Sequence, residues 1–373
     1  MTRAAARREA APDTQDISRR SALPPNPDGA NIAASWYVAT RSGLLRTRPH
    51  RMRLFEREVV LWRDGAGVAR CFAAHCPHQG ANLGLGDVVD GELRCPFHHW
   101  RFDGHGVCTA IPGVSRIPST ARTRSYPTRE AYGFVWVWYG TPEPLFELPD
   151  FPPMTDDKGS YAGFFYDDRT TGTVRQLLEN AVDHQHFSAL HGLDLDDVDF
   201  RVLGDQAEAS DNGCPVSAED AWFGVWFAGT PWRPPLRRSP LAWITAVVAT
   251  FAMGRRMELL VDGWPGGQRF TAYVDGTEVY KVLMGIVPEG NRATRQVGWA
   301  GVRRTGRWYR TALNYLLFYV QNRAGTSQDV PIYDSTRSAQ PVVYVRYDNG
   351  LVRFRRYYQA WVERAADERA AGS

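Results

Sequence analysis

Cysteine is scarce in this 373-residue chain, and its arrangement excludes one class of protein at once. Cys71, Cys76, Cys95, Cys108 and Cys214 are odd in number and unevenly spaced. A secreted fold stapled by disulfides would use an even, denser set, so a reducing cytoplasm is expected. Lysine is scarcer still: the basic charge is almost all arginine, and the net charge of +3 is too small to imply a nucleic-acid or acidic-polymer partner. No apolar run approaches the roughly 20 residues of a membrane-spanning helix. The longest uncharged run, residues 239–254 (SPLAWITAVVATFAMG), lies between Arg237–Arg238 and Arg255–Arg256. It reads as a buried strand pair or sheet edge. A substrate mouth or a membrane-surface contact is the alternative, because basic flanks around apolar residues suit an interface. From Met1 to Ser35 there are charges at Arg3, Arg7, Arg8, Glu9 and Asp13 and no apolar core, so neither signal peptide nor anchor is expected. No G-x-G-x-x-G fingerprint follows a strand, and direct use of NAD(P)H is therefore not expected.

What is present divides the chain unevenly. Residues 1–33 lack periodicity and read as a disordered arm. Residues 34–140 alternate short β runs with Gly and Pro, as in RLFEREVVLWR and GFVWVWYG, where Phe134, Trp136 and Trp138 share one strand face. A proline-punctuated connector, residues 141–153, marks the expected boundary. Residues 154–365 combine a helical segment (VRQLLENAVDHQHFSALHG), long β runs, and a second helical stretch from about Arg304 to Gln328. Residues 366–373 read as a frayed tail. The expected class is α+β: a small antiparallel β domain, then a helix-grip-like domain with a large antiparallel sheet and helices on one side.

Two constellations carry chemistry. The first is Cys76-Pro77-His78-Gln79-Gly80 with Cys95-Pro96-Phe97-His98-His99-Trp100, or C-x-H-x16-C-x2-H. Zinc ribbons and fingers group like ligands in C-x2-4-C and H-x3-5-H pairs. Here each loop mixes one thiolate with one imidazole. That suits a Rieske [2Fe–2S] cluster, in which two cysteines hold one iron and two histidines the other. Cys71 and Cys108 fit no ligand spacing and read as buried small side chains; His75 and His105 read as loop-surface residues.

The second is Asp183-x2-His186-x4-His191, within residues 179–192. Asp183 and His186 share a helical face. His191 lies about 140° further round an ideal helix, so both histidines reach one metal only if the helix distorts or ends between them. Gly192 is a plausible stop. Alone the pair is a weak signal; downstream of a cluster motif it is a strong one.

CPHQG…CPFHHW followed by RFDGHGVCTAIPG resembles the Rieske domain of bacterial ring-hydroxylating and steroid-modifying oxygenases. The broader resemblance is to the branch of ketosteroid hydroxylases, Neverland-type sterol desaturases and prodiginine oxidative cyclases. The positions of the extra disulfide in respiratory Rieske proteins are Ala81 and Phe97 here, which fits the oxygenase type. The residue after the second histidine ligand is usually Gly in that family and is His99 in this chain. The resemblance implies [2Fe–2S] ligation by Cys76, His78, Cys95 and His98, and a mononuclear Fe(II) on His186, His191 and a downstream aspartate. Asp329, in Ser327-Gln328-Asp329-Val330-Pro331-Ile332-Tyr333, matches; Asp334 is the runner-up. It also implies that Asp183 bridges cluster and iron between neighbouring subunits of a homotrimer, and that O2 is co-substrate. Electrons would come from NAD(P)H only indirectly, through a reductase and a ferredoxin. Asn180 could line the iron pocket; His184 reads as structural. Arg94 and Arg101 could help dock an acidic ferredoxin.

Substrate is where the sequence thins out. Trp222, Phe223, Trp226, Phe227, Trp243 and Phe251, with the apolar helix Leu313 to Val320, mildly favour a large apolar molecule, although core packing explains most of them. Hydroxylation is the leading expectation, with desaturation and oxidative cyclisation starting from the same C–H abstraction. Two rival classes stand beside it: a Rieske electron carrier or redox sensor without a working iron site, and a zinc-stabilised binding protein.

Overall fold

The computed structural model describes residues 32–191, 195–203, 218–231, 256–290, 292–336 and 343–365. The arm before residue 32, Gly192, Cys214, the 239–254 run with Trp243 and Phe251, and the tail from 366 lie outside them.

Residues 32–140 are built mainly of β-strands: β1 (Ser35–Arg41), β2 (His50–Leu54), β3 (Arg57–Arg63), β4 (Ala69–Ala73), β5 (Asp87–Val89), β6 (Glu92–Arg94), β7 (Arg101–Phe102), β8 (Cys108–Ala110), β9 (Ser125–Tyr126), β10 (Thr128–Ala131) and β11 (Phe134–Tyr139). They form three antiparallel sheets, ordered β1-β11-β10, β2-β3-β4-β9 and β5-β6-β7-β8. The last of these, with parts of β3 and β4, encloses its own small core of Val60, Trp62, Phe72, Leu83, Leu93 and Phe102, into which Cys76 and Cys95 are also buried. Cys71 and Cys108 are buried as well, and burial raises both thiol pKa values.

All six residues of β11 are buried, so the face opposite Phe134, Trp136 and Trp138 is covered too. Trp136 packs towards Trp264 of the large sheet at 5.9 Å, and Trp138 meets Phe146 at 5.1 Å. The β1-β11 pair therefore shares a core with the second half of the chain. The proline-punctuated connector is pinned to that core, since Phe146, Leu148 and Phe151 are buried and the Phe146 carbonyl accepts the Trp36 indole N–H.

The large sheet is antiparallel and seven-stranded: β12 (Tyr161–Thr170), β13 (Leu195–Val202), β14 (Phe223–Pro231), β15 (Met257–Trp264), β16 (Gly267–Val274), β17 (Thr277–Gly290) and β18 (Ala293–Arg303), ordered β12-β18-β17-β16-β15-β14-β13. Among the described residues, four α-helices complete the α+β fold: α1 (Val174–Asn180), α2 (His184–Ala189), α3 (Trp308–Ser335) and α4 (Asn349–Arg364). The segment expected as one helix around His186 is thus two. Thr173 and Gln176 form a capping box that starts α1. Asp183 accepts the Gln185 N–H at 2.9 Å and starts α2.

The C-terminal helix also differs from expectation. α3 runs beyond Gln328, through Pro331, to Ser335. Its far end is tethered where Asp334 accepts bonds from the Thr170 hydroxyl and the Thr171 amide and hydroxyl, and where Tyr333 is buried. The apolar stretch Leu313 to Val320 is only half core: Tyr315 and Phe318 pack inwards against Phe164 and Tyr280, whereas Leu313, Leu316 and Val320 are exposed. α4 carries a buried stripe of Phe354, Tyr358, Trp361 and Val362 at helical spacing, and the Ala34 amide donates to the Trp361 carbonyl.

Candidate metal centres

The two Cys/His loops are built alike. In the first, the Gly80 amide donates to the Cys76 carbonyl at 3.0 Å and the Cys76 amide to the Ala81 carbonyl at 2.9 Å. In the second, the His99 amide donates to the Cys95 carbonyl at 3.2 Å and the Cys95 amide to the Trp100 carbonyl at 2.8 Å. Closing such a turn needs a left-handed residue at its fifth position. Gly80 supplies φ +73° and His99 φ +58°, so a glycine is the unstrained choice at the second site too. Both prolines precede the left-handed residue and stiffen the turn.

The thiols lie at the base and the imidazoles at the mouth. Cys76 and Cys95 are buried side by side, and burial, followed by contact with Cys95, pushes the Cys76 thiol up to about 11. His78 and His98 are exposed, with ring centroids 4.7 Å apart. The Trp100 ring stacks on His78 at 4.6 Å and 10°, and Phe97 lies 3.9 Å from His98. His75 is on the surface but not idle: it bonds the Gly80 carbonyl at 3.0 Å and Glu58 at 2.8 Å. Two thiols are buried together, and two exposed imidazoles meet edge to face above them. That donor set fits a [2Fe–2S] cluster with one all-sulfur and one imidazole-ligated iron. Arg94 and Arg101 are each paired within the domain, to Asp87 at 2.6 Å and to Asp90 at 2.8 Å.

The second centre joins α1, α2 and α3. Ligand atoms of His186, His191 and Asp329 all lie within 4.8 Å of one another. The angular problem of the histidine pair is solved by chain direction. α2 ends at Ala189, Leu190 caps it by bonding back to the His186 carbonyl, and His191 leaves the helix before it must follow the helical turn. Each imidazole has its Nδ1 committed to an oxygen acceptor: His186 Nδ1 to the Asp183 carbonyl, His191 Nδ1 to Gln328 Oε1 at 2.9 Å. With the protons so placed in the neutral rings, Nε2 is the nitrogen that each imidazole turns inward. They meet Asp329, whose Oδ1 lies 3.3 Å from His191 Nε2. Asn180 Nδ2 sits between the arms, 3.2 Å from His186 Nε2 and 3.4 Å from Asp329 Oδ1. Two imidazoles and one carboxylate on one side of a space are the donor set of a non-heme iron(II) centre with open positions.

Electrostatics separates the two histidines. Burial holds His186 below its ordinary pKa, so its ring is neutral and ready to ligate. The hydrogen bond to Asp329 raises His191. Asp334, the runner-up carboxylate, is spent on Thr170 and Thr171. His184 stacks on Phe200 at 4.5 Å, a packing role. Of the aromatics expected to feed the pocket, Phe227 borders the centre through Phe187, at 5.0 Å. Trp222 instead donates to buried Asp262, Phe223 packs on α4, and Trp226 lies under Arg201. Gln328 was not anticipated, although its place beside Asp329 was visible in the sequence.

Known proteins share the motif and the fold. The Rieske [2Fe–2S] domain family matches residues 35–127. Over 347 residues, 91% of this chain and 93% of the relative, the sequence is 34% identical to aminopyrrolnitrin oxygenase PrnD of Pseudomonas fluorescens. The chain belongs to the Rieske oxygenases. A 3-ketosteroid-9-alpha-monooxygenase oxygenase component from Rhodococcus rhodochrous is 34% identical over 168 residues, 43% of each chain. The crystal structure of dicamba monooxygenase bound to dicamba superposes with a TM-score of 0.61 at 18% identity, covering 89% of this chain and 97% of that one. The last comparison speaks to the fold. As a Rieske oxygenase the protein is an O2-dependent oxidoreductase that takes electrons from a reductase or ferredoxin and carries a [2Fe–2S] cluster and a mononuclear iron. No helix among the described residues is long and apolar enough to cross a membrane.

Proposed function

We propose that this oxygenase binds its mononuclear iron through His186, His191 and Asp329, and its cluster through Cys76, His78, Cys95 and His98. The observation that carries the first assignment is the convergence of three metal-competent side chains within 4.8 Å in a chain with a Rieske motif. When bound, the cluster supplies single electrons and the iron a site for O2 activation. The rest is the work of the chain. Asp183 and Gln328 hold the Nδ1 protons, Asn180 donates into the triad, and Phe187 with Phe227 gives the site an apolar wall that limits water. Asp183 keeps a second carboxylate oxygen beyond its capping bond, which suits the bridging role between subunits of a homotrimer. A cytoplasmic location is consistent with the sparse cysteines, of which the four among the described residues form no disulfide.

The substrate reading is an apolar small molecule, hydroxylated at carbon. A second reading, oxidation at an amine nitrogen, is favoured by the near-full-length relative named for an amino compound. Incubating the reduced protein with 18O2 and candidate steroids, polycyclic compounds and arylamines tests both. Label in a C–OH product supports the first and label on nitrogen the second. O2 uptake that survives His186→Ala would overturn the assignment of the centre.

A further inference from the structure

We infer that Gln328 is a positioning residue for the iron centre: it fixes the tautomer and orientation of His191, so that Nε2 and not Nδ1 faces the metal. This rests on the proposed ligand set. Gly325, Gln328 and Asp329 lie at i, i+3 and i+4 of α3, and share one helical face. That face is turned towards His191. A Cβ built at Gly325 would stand 3.9 Å from His191 Cε1, Gln328 Oε1 accepts from Nδ1 at 2.9 Å, and Asp329 Oδ1 lies 3.3 Å from Nε2. One turn of one helix thus addresses both nitrogens of the same ring. The carboxylate is placed as a co-ligand, and the amide oxygen takes the proton that must stay off the ligating nitrogen.

The need for such a device follows from where His191 sits. His186 has a backbone acceptor for Nδ1 three residues away, at the Asp183 carbonyl, supplied by its own helix start. His191 lies past the end of α2, and its Nδ1 bond runs instead to Gln328 on a different helix. Loss of Gln328 would remove that bond and leave the ring less constrained to one tautomer. An outer-shell acceptor that fixes the tautomer also raises the basicity of the ligating nitrogen. Gln328 is itself exposed, so replacing it removes little packing and the fold should persist.

The test is anaerobic Fe(II) titration of protein that retains its [2Fe–2S] cluster but has been stripped of mononuclear iron by a chelator. It compares wild type, Gln328→Leu, Gln328→Glu and His191→Ala. Gln328→Leu should weaken Fe(II) binding about 10–100-fold, with sulfide content and the reduced-cluster EPR signal unchanged. Gln328→Glu, which keeps an acceptor at the same reach, should restore affinity to wild type or better. The proposal is overturned if Gln328→Leu binds Fe(II) within about twofold of wild type, or if Gln328→Glu loses as much as Gln328→Leu. His191→Ala separates this from the ligand assignment: if it still binds the third iron normally, the ligand set itself fails, whatever the Gln328 variants do.

Discussion

Cys76, His78, Cys95 and His98 stand on two turns, each closed by backbone bonds within five residues of its cysteine, above a small core of their own. His186, His191 and Asp329 come together only because α3 returns to α2, a contact bridged by a hydrogen bond spanning 137 residues of sequence. The cluster cradle is therefore local and set by turn geometry. The iron centre is non-local, and its geometry depends on how helices dock. It follows that the two centres should fail independently, the first through its loops and the second through its supporting side chains.

Cys95→Ala is the harshest way to break that comparison. It should abolish acid-labile sulfide, visible colour and turnover together, yet leave the triad able to bind Fe(II) in an anaerobic titration. Loss of both metals would mean that the centres are not independent. Asn180→Ala removes the donor lying between His186 and Asp329. Steady-state kinetics should show kcat/KM lower by about 10–100-fold, with the cluster spectrum unaltered.

The dependence on pH sharpens the contrast within the iron centre. The Asp329 hydrogen bond raises His191 above the ordinary histidine value of about 6.5. In iron-free protein this imidazolium–carboxylate pair contributes stability that is fully present below that ordinary value and is lost as pH rises through the raised one. Iron requires the neutral ring. Fe(II) affinity should therefore strengthen as pH climbs through the same window, with proton release measurable by calorimetry in buffers of different ionisation enthalpy. In iron-free protein, Asp329→Asn should move the stability profile down towards that ordinary histidine value.

His99→Gly should have the smallest effect. A non-glycine residue held at φ +58° costs about 1–2 kcal/mol, and the extra chain entropy of glycine returns about 0.5–1 kcal/mol of that. Denaturant unfolding of the holoprotein should show a gain of about 0.5–1 kcal/mol, with an unchanged cluster. A loss of stability would mean that the His99 side chain contributes contacts of its own.

This local-versus-distant distinction also explains what the sequence disclosed. The cluster residues are legible because their chemistry and their turn signals coincide: Cys-Pro and a left-handed closer appear in both loops, and the oddity of His99 becomes intelligible once its φ is known. The α+β division and the large sheet follow from strand and helix periodicity. The histidine pair was visible, but the break between α1 and α2 was not. The capping signal at Asp183 sits inside a stretch whose overall helical tendency masks it. The extension of α3 past Asp329 was hidden because Pro331 normally argues for a stop; tethering by Asp334 overrides it. α4 was overlooked although Phe354, Tyr358, Trp361 and Val362 carry the helical spacing. The burial of β11 on both faces, and the part played by Gln328, depend on which elements pack together, and no local pattern encodes that.

The most direct test of the account is the metal inventory of Asp329→Ala beside wild type, with EPR of the reduced proteins. Wild type should carry about three irons and two sulfides per chain, whereas Asp329→Ala should keep about two of each with an unchanged Rieske signal and lose turnover by more than about 100-fold. Retention of the third iron and of activity by Asp329→Ala would contradict the account.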